Sequence, residues 1–146
     1  MRTALYPGSF DPVTSGHEAV VRRALGLFDR IVIGVGVNTD KQYMFPVEER
    51  LECLRHLFAD EPRVEAVAYS DMTVDLCHRL GAQFILRGIR NSQDLEYERT
   101  VAAVNHTLDP SIETVILLAL PDQQEVSSTL VREQLAHQTN PSPARG

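Results

Sequence analysis

The segment Gly8-Ser9-Phe10-Asp11-Pro12-Val13-Thr14-Ser15-Gly16-His17 gathers residue types suited to holding an anion. Glycine directly after a short apolar run lets the backbone approach a ligand closely, and Ser9 adds a hydroxyl beside it. Thr14 or Ser15 can cap a following helix, which leaves His17 in its first turn. Free amides, the helix dipole and an imidazole then converge on one negative charge, which is the chemistry of phosphate binding. An ordinary turn followed by a solvated histidine would account for each residue singly. The ordered combination favours phosphate.

Further basic and hydroxyl-bearing residues recur at intervals. Lys41 closes Asn38-Thr39-Asp40-Lys41 after a second apolar run, a position where most lysines are merely solvated. Arg87-Gly88-Ile89-Arg90 follows Phe84-Ile85-Leu86, so both guanidinium groups can fork onto phosphate oxygens while Gly88 keeps the backbone low. A basic loop on an acidic protein is the competing reading. In Asp94-Leu95-Glu96-Tyr97-Glu98-Arg99 and the residues after it, helical spacing puts Tyr97, Val101, Val104 and Asn105 on one face with Glu98 beside it. That mixed face suits core packing, and equally a ligand with a flexible amide arm. Val126-Ser127-Ser128-Thr129 offers three hydroxyls where a helix cap needs one.

The elements that must position these groups alternate. Residues 3–6 read as a strand broken by Pro7-Gly8, and residues 18–28 as a helix carrying Val20, Val21, Ala24, Leu25 and Phe28. Ile31–Val37 is a β-branched run, apolar on both faces as in a doubly covered strand. Pro46 reads as a first-turn proline of a helix with Val47, Leu51, Leu54 and Phe58 in one stripe. Strand 64–68, helix 73–80 closed by Gly81, strand 84–86, helix 94–108, strand 114–120 and helix 127–137 complete the pattern. Five strands interleaved with helices predict one Rossmann-like, doubly wound α/β domain with a parallel sheet over residues 1–137. Residues 138–146, with Pro141, Pro143 and Gly146, read as a short mobile tail. Ligands of such sheets bind beyond the carboxyl ends of the strands, at the switch in strand order. The chemistry-bearing residues all fall at those ends or at the helix starts that follow.

Composition narrows the function classes. A formal charge of −6 argues against a broad nucleic-acid surface, although a few aimed basic groups can still dominate one cleft. No apolar run approaches the roughly 20 residues of a membrane span, and the N-terminus enters a strand-like run directly. A cytoplasmic protein without membrane contact is expected. Cys53 and Cys77 lie far apart, form no zinc spacing, and read as reduced thiols packed against core or interface.

Taken together, PGSFDPVTSGH, RGIR followed by DLEYE, and SSTLVRE resemble the bacterial phosphopantetheine adenylyltransferases, members of the nucleotidyltransferase superfamily with the (T/H)xGH motif. The first and last pieces occur across related nucleotidyltransferases; RGIR, DLEYE and Lys41 before Met44-Phe45 narrow the choice. The resemblance implies reversible adenylyl transfer from ATP to 4'-phosphopantetheine, yielding dephospho-coenzyme A and pyrophosphate, with magnesium carried on the ATP phosphates. It implies that His17 stabilises the transition state, with Lys41 and Arg90 in the catalytic set. ATP would be held by Ser9, Phe10, His17, Gly88, Ile89, Arg90 and Glu98, and by Gln123, Gln124, Glu125, Val126, Ser127, Ser128 and Thr129. Ser9, Lys41 and Arg87 would hold the acceptor phosphate, with Thr73, Tyr97 and Asn105 along the pantetheine arm. Dephospho-coenzyme A and coenzyme A would be product or feedback ligands, and a homohexamer the expected assembly.

This chain departs from the family pattern in three places. Ser9 stands where threonine is common, Thr129 where a third serine is frequent, and the tail is shorter than a frequent further helix. The opening motif alone also fits another adenylyl- or cytidylyltransferase, such as one acting on nicotinamide mononucleotide. A nucleotide-binding regulatory module without turnover is the third reading. Retention of His17, Lys41, Arg87 and Arg90 together disfavours that module. No acidic cluster resembles a metal cage. Because the acceptor is already an anion, positioning and charge neutralisation at the α-phosphate are the expected sources of catalysis.

Overall fold

The structure is a computed structural model that describes residues 1–119 and 134–136. Five parallel strands form one sheet: β1 (Thr3–Gly8), β2 (Arg30–Gly36), β3 (Val64–Tyr69), β4 (Phe84–Ile89) and β5 (Glu113–Leu118). Between them run α1 (Ser15–Ala24), α2 (Val47–Leu57), α3 (Thr73–Leu80) and α4 (Ser92–Leu108). The strand order is β3-β2-β1-β4-β5. The chain winds outward from β1 through β2 to β3, then crosses back to β4 on the other side of β1, so the order reverses between β1 and β4. One core cluster centres on Val21, Ile31, Ile33 and Leu86, and the other, on the opposite face, on Leu5, Val32, Cys77 and Ile85. Both faces of the sheet are therefore covered, as the β-branched run of β2 requires.

Several boundaries differ from the sequence reading, each for a local reason. β1 does not break at Pro7-Gly8. It stays in register with β2 through Pro7↔Gly34 and Gly8↔Val35. Its pairing with β4 covers only Ala4 and Leu5. Pro7 has no N–H to continue that second ladder, and its carbonyl instead accepts a hydrogen bond from Arg87. The two central strands thus part company beyond Leu5, and the crevice opens there. β4 likewise runs on past Leu86, because Arg87, Gly88 and Ile89 pair with Ile116, Leu117 and Leu118 of β5.

Helix α1 begins and ends earlier than residues 18–28, since Thr14 caps it and the chain leaves helical pairing after Ala24. Pro46 sits at the N-cap of α2 in an extended conformation, one place before its first turn. Asn91 caps α4 by accepting from the Asp94 amide, which moves that helix start to Ser92. Gly81 closes α3 at φ +68°, the left-handed geometry that glycine adopts without steric cost. Cys77 is fully buried and burial pushes its thiol up to about 11, whereas Cys53 is exposed on α2 rather than packed. Of the helix expected at residues 127–137, only 134–136 are described, and these are helical.

Candidate active site

The reversal between β1 and β4 gathers the residues singled out by their chemistry. Thr14 makes a capping box with an unusual partner. The His17 amide donates to the Thr14 hydroxyl at 3.3 Å, and the Thr14 amide donates back to His17 Nδ1 at 2.9 Å. Glutamate or glutamine ordinarily fills that return position. Here the imidazole does so, which has a chemical consequence. A ring nitrogen accepting an N–H cannot itself carry a proton, so the neutral ring holds its proton on Nε2. Burial lowers the His17 pKa, and the Arg87 and Arg90 charges lower it further. The residue is therefore a neutral hydrogen-bond donor near pH 7, a role suited to stabilising charge on a phosphate rather than abstracting a proton.

Phe10 supports this arrangement from below. It is buried at φ +49°, a strained value for a bulky residue, and its ring meets His17 edge-on with centroids 4.9 Å apart. Tyr6 meets Phe10 at 5.3 Å and His17 at 6.4 Å, so the three rings form one cluster. Gly8 suits the same contact, because a Cβ there would lie 3.0 Å from the Phe10 ring and press on it. Only the backbone of Phe10 is available to a ligand, since its ring belongs to the core.

Across the crevice, Arg87 is locked. Its Nε lies 2.9 Å from both Glu98 carboxylate oxygens, its Nη2 donates to Oε1 at 2.7 Å, and its Nη1 reaches the Pro7 carbonyl. Burial is the largest single influence and would lower the guanidinium pKa. Hydrogen bonding to Glu98, together with the charge of Glu98 and the nearby Tyr6 and Tyr97, holds the group above the ordinary arginine value. Glu98 is buried at 4% exposure, so it addresses the cleft chiefly through Arg87. Gly88 serves packing first: a Cβ there would lie 2.9 Å from Val20 Cγ2, so its absence lets α1 seat on β4. Ile89 is buried in the sheet. Arg90 extends into solvent, with its amide bonded to Asp94 at 2.9 Å and its side chain 3.6 Å from the same carboxylate.

Lys41 completes the ring of cations. Its Nζ donates to the Ser9 hydroxyl at 3.2 Å, joining the loop after β2 to the loop after β1. Ser9, His17, Lys41, Arg87 and Arg90 all line one cleft. A second cavity, of about 350 Å³, adjoins it and shares Gly8, Ser9, Arg87 and Glu98. Its further wall is the α4 face of Tyr97, Val101 and Asn105, together with Thr73, whose hydroxyl bonds Tyr69 at 3.2 Å. The cation-lined cleft and the mixed groove thus meet at Arg87. Among the described residues no three His, Cys, Asp or Glu side chains converge as metal ligands. The cleft carboxylates are already engaged: Asp11 by the Met44 and Phe45 amides, Asp94 by the Arg90 amide, Glu98 by Arg87.

A sequence model of the cytidylyltransferase-like family matches residues 5–134. Phosphopantetheine adenylyltransferase of Phocaeicola vulgatus is 50% identical over 135 residues, 92% of this chain and 89% of its own. The enzyme of the same name from Flavobacterium psychrophilum is 47% identical over 91% of this chain and 87% of its own. The chain belongs to the phosphopantetheine adenylyltransferase family. Solved structures agree on the fold. A lipopolysaccharide core biosynthesis protein from Thermoplasma volcanium superposes with a TM-score of 0.59 at 19% identity, over 82% of this chain and 97% of that one. A nicotinate-nucleotide adenylyltransferase homologue from Vibrio parahaemolyticus gives 0.56 at 17% identity, over 94% of this chain and 89% of that one.

Within this family member, the sequence reading placed Ser9, His17, Lys41, Arg87 and Arg90 in one site, and the fold brings them together. Thr73, Tyr97 and Asn105 fall in the adjoining groove, while Val104 lies further along it, half exposed. Gln123–Thr129, expected to contact ATP, lie outside the described residues. Two residues escaped the sequence reading. Asp11 accepts the Met44 and Phe45 amides at 2.6 and 2.8 Å, clamping the loop that carries Lys41. Arg50 is buried at 3% exposure on α2, inside the apolar stripe that includes Val47, Leu51 and Leu54. An arginine inside an apolar stripe was the available signal.

Proposed function

We propose that this chain transfers the adenylyl group of ATP to 4'-phosphopantetheine, forming dephospho-coenzyme A and pyrophosphate in coenzyme A biosynthesis. The observation that carries the reading is the junction at Arg87. A cleft ringed by cations opens into a mixed groove along α4, which fits a phosphate joined to a long uncharged arm with amides. Family membership supplies the reaction, and this juxtaposition supports the acceptor.

An oxygen of the acceptor phosphate bonds to the α-phosphorus of ATP as the bond to the bridging oxygen of pyrophosphate breaks. The attacking group is already an anion, so no strong base is required. His17, with Nδ1 committed to the Thr14 amide, offers its Nε2 proton to a non-bridging oxygen of the α-phosphate, where negative charge accumulates. Ser9, Lys41 and Arg87 hold the acceptor phosphate, while Gly88, Ile89, Arg90 and the backbone of Phe10 face the nucleotide. Thr73, Tyr97 and Asn105 line the arm. ATP enters as its magnesium complex; with the cleft carboxylates engaged, phosphate oxygens and water suit the cation better than protein ligands do. Coenzyme A shares the arm of the acceptor and would compete for the same groove. Action in the cytoplasm as a homohexamer belongs to the same proposal, on the family resemblance. Among the described residues no helix is long and apolar enough to cross a membrane.

The test is pyrophosphate release from magnesium-ATP with and without 4'-phosphopantetheine, against a panel of acceptors including nicotinamide mononucleotide. Release dependent on phosphopantetheine is expected. Release with another acceptor alone, or nucleotide binding with no release in any mixture, overturns the reading.

A further inference from the structure

Arg50 is the buried cation that the reaction as described does not use. Its guanidinium reaches three segments that end at the cleft. Nη1 donates to the Ser9 carbonyl at 2.9 Å, just after β1, and to the Gly36 carbonyl at 3.1 Å, at the end of β2. Nε donates to the Phe45 carbonyl at 3.1 Å, in the loop that carries Lys41. The Tyr43 ring covers the guanidinium at 4.0 Å. A buried charge is tolerated when its hydrogen-bonding capacity is used, and a planar fork serves several carbonyls at once where an ammonium cannot hold the same geometry.

A second tie joins the same two loops from the opposite direction, because the Asp11 carboxylate accepts the Met44 and Phe45 amides. Phe45 is therefore gripped through both its amide and its carbonyl. Ser9 and Lys41 lie on the two loops so joined, and their side chains meet at 3.2 Å. Besides that hydrogen bond, the Lys41 ammonium makes a looser approach to the Tyr43 ring at 5.6 Å, a ring that Arg50 itself packs against.

We infer that Arg50 is a positioning residue for the acceptor phosphate: it holds the loops after β1 and β2 so that the Ser9 hydroxyl and the Lys41 ammonium converge on one anion. It touches no substrate and acts through those two groups. The inference rests on the proposed acceptor, and it assigns the two loops a joint task that neither performs when separated. Displacements on the order of 1 Å at groups that orient a reacting phosphate change rates severely.

The experiment compares wild type, Arg50→Lys, Lys41→Ala and the double variant. Pyrophosphate release is measured against phosphopantetheine concentration, and ATP affinity by calorimetry. Arg50→Lys keeps the charge and loses the fork. The expected result is a fall of about tenfold or more in kcat/KM for phosphopantetheine, with a raised KM, while ATP affinity changes by less than about threefold. In the Lys41→Ala background the same substitution should cost clearly less than in wild type, because one of the two groups it positions is gone and only Ser9 remains. Loss of folded enzyme would lower the maximal rate and leave KM in place, so a KM unchanged in Arg50→Lys overturns the inference. So does an equal loss of ATP affinity, or a full additional loss on top of Lys41→Ala. Should Arg50→Lys not fold, Asp11→Asn loosens the other tie, and the same preference for the acceptor is required of it. A wild-type enzyme inactive with phosphopantetheine removes the functional reading first, and this inference with it.

Discussion

The two cationic walls of the cleft are built differently. On the β4 side, Arg87 is embedded, held on three sides by Glu98 and the Pro7 carbonyl before any ligand arrives. On the β2 side, Lys41 is exposed and its hydrogen bond is to the Ser9 hydroxyl, on a loop secured indirectly by Asp11 and Arg50. One wall is rigid through its own side chain and the other through its backbone. The first suits a fixed anchor for one phosphate, and the second a charge that closes on a phosphate as it arrives. Between the walls stands His17, which needs neither for its orientation because Thr14 supplies it.

The largest expected effect tests that central residue. His17→Ala should lower turnover by two or more orders of magnitude, about 3 kcal/mol of transition-state stabilisation, while ATP affinity falls much less. Steady-state kinetics beside calorimetric ATP titration checks it, and near-normal turnover would place the chemistry on the walls instead. The second test compares the walls through stability. Glu98→Ala leaves Arg87 partly buried without its carboxylate and should cost about 2–3 kcal/mol in denaturant unfolding, below the fully buried range because Arg87 keeps some solvent. Lys41→Ala should change stability by less than about 0.5 kcal/mol and still impair catalysis. Equal stability losses would erase the distinction between the walls.

Substrate dependence sharpens the comparison further. Arg87→Ala should raise the KM of the acceptor more than that of ATP, and the reverse ranking would exchange the two substrates across the cleft. The smallest effect is a pH response. With its pKa depressed by burial and by Arg87 and Arg90, His17 should titrate below 6.5 in NMR spectra. Unfolded, it binds its proton more readily, so its contribution to stability is full above pH 6.5 and is lost as the pH falls through the depressed value. Turnover governed by His17 should stay level from that point upward. Arg90→Ala should move the midpoint slightly back toward the ordinary value.

Much of this arrangement was legible in the sequence because local patterns carry it. The unbroken apolar run at 31–37 announced a strand covered on both faces, and Gly81 announced a helix end. Serine, lysine, arginine and histidine at strand ends announced the cleft. What stayed hidden depends on contacts between distant segments. Pro7 looked like a strand breaker because proline lacks a donor, yet only one of the two ladders flanking β1 needed that donor. Arg87 looked like a loop residue because the pairing that extends β4 lies with β5, some 30 residues later. The pairing of Glu98 with Arg87 stayed hidden too, since nothing local links positions 87 and 98 across the strand-to-helix turn.

The strand order also governs how the molecule is made. β1 is synthesised first and occupies the centre of the sheet, yet one of its two neighbours is β4, whose pairing begins at Phe84. While the chain emerges from the ribosome, β1, β2 and β3 can associate early, and the flank of β1 toward the future cleft remains an open edge. Such an edge invites pairing with other chains until it is covered. The crevice where the two central strands part therefore gains its second wall only after β4 has emerged, with β5 still to follow. A side chain at Gly88, which would press on Val20, should delay the docking of β4 and reduce the yield of folded protein.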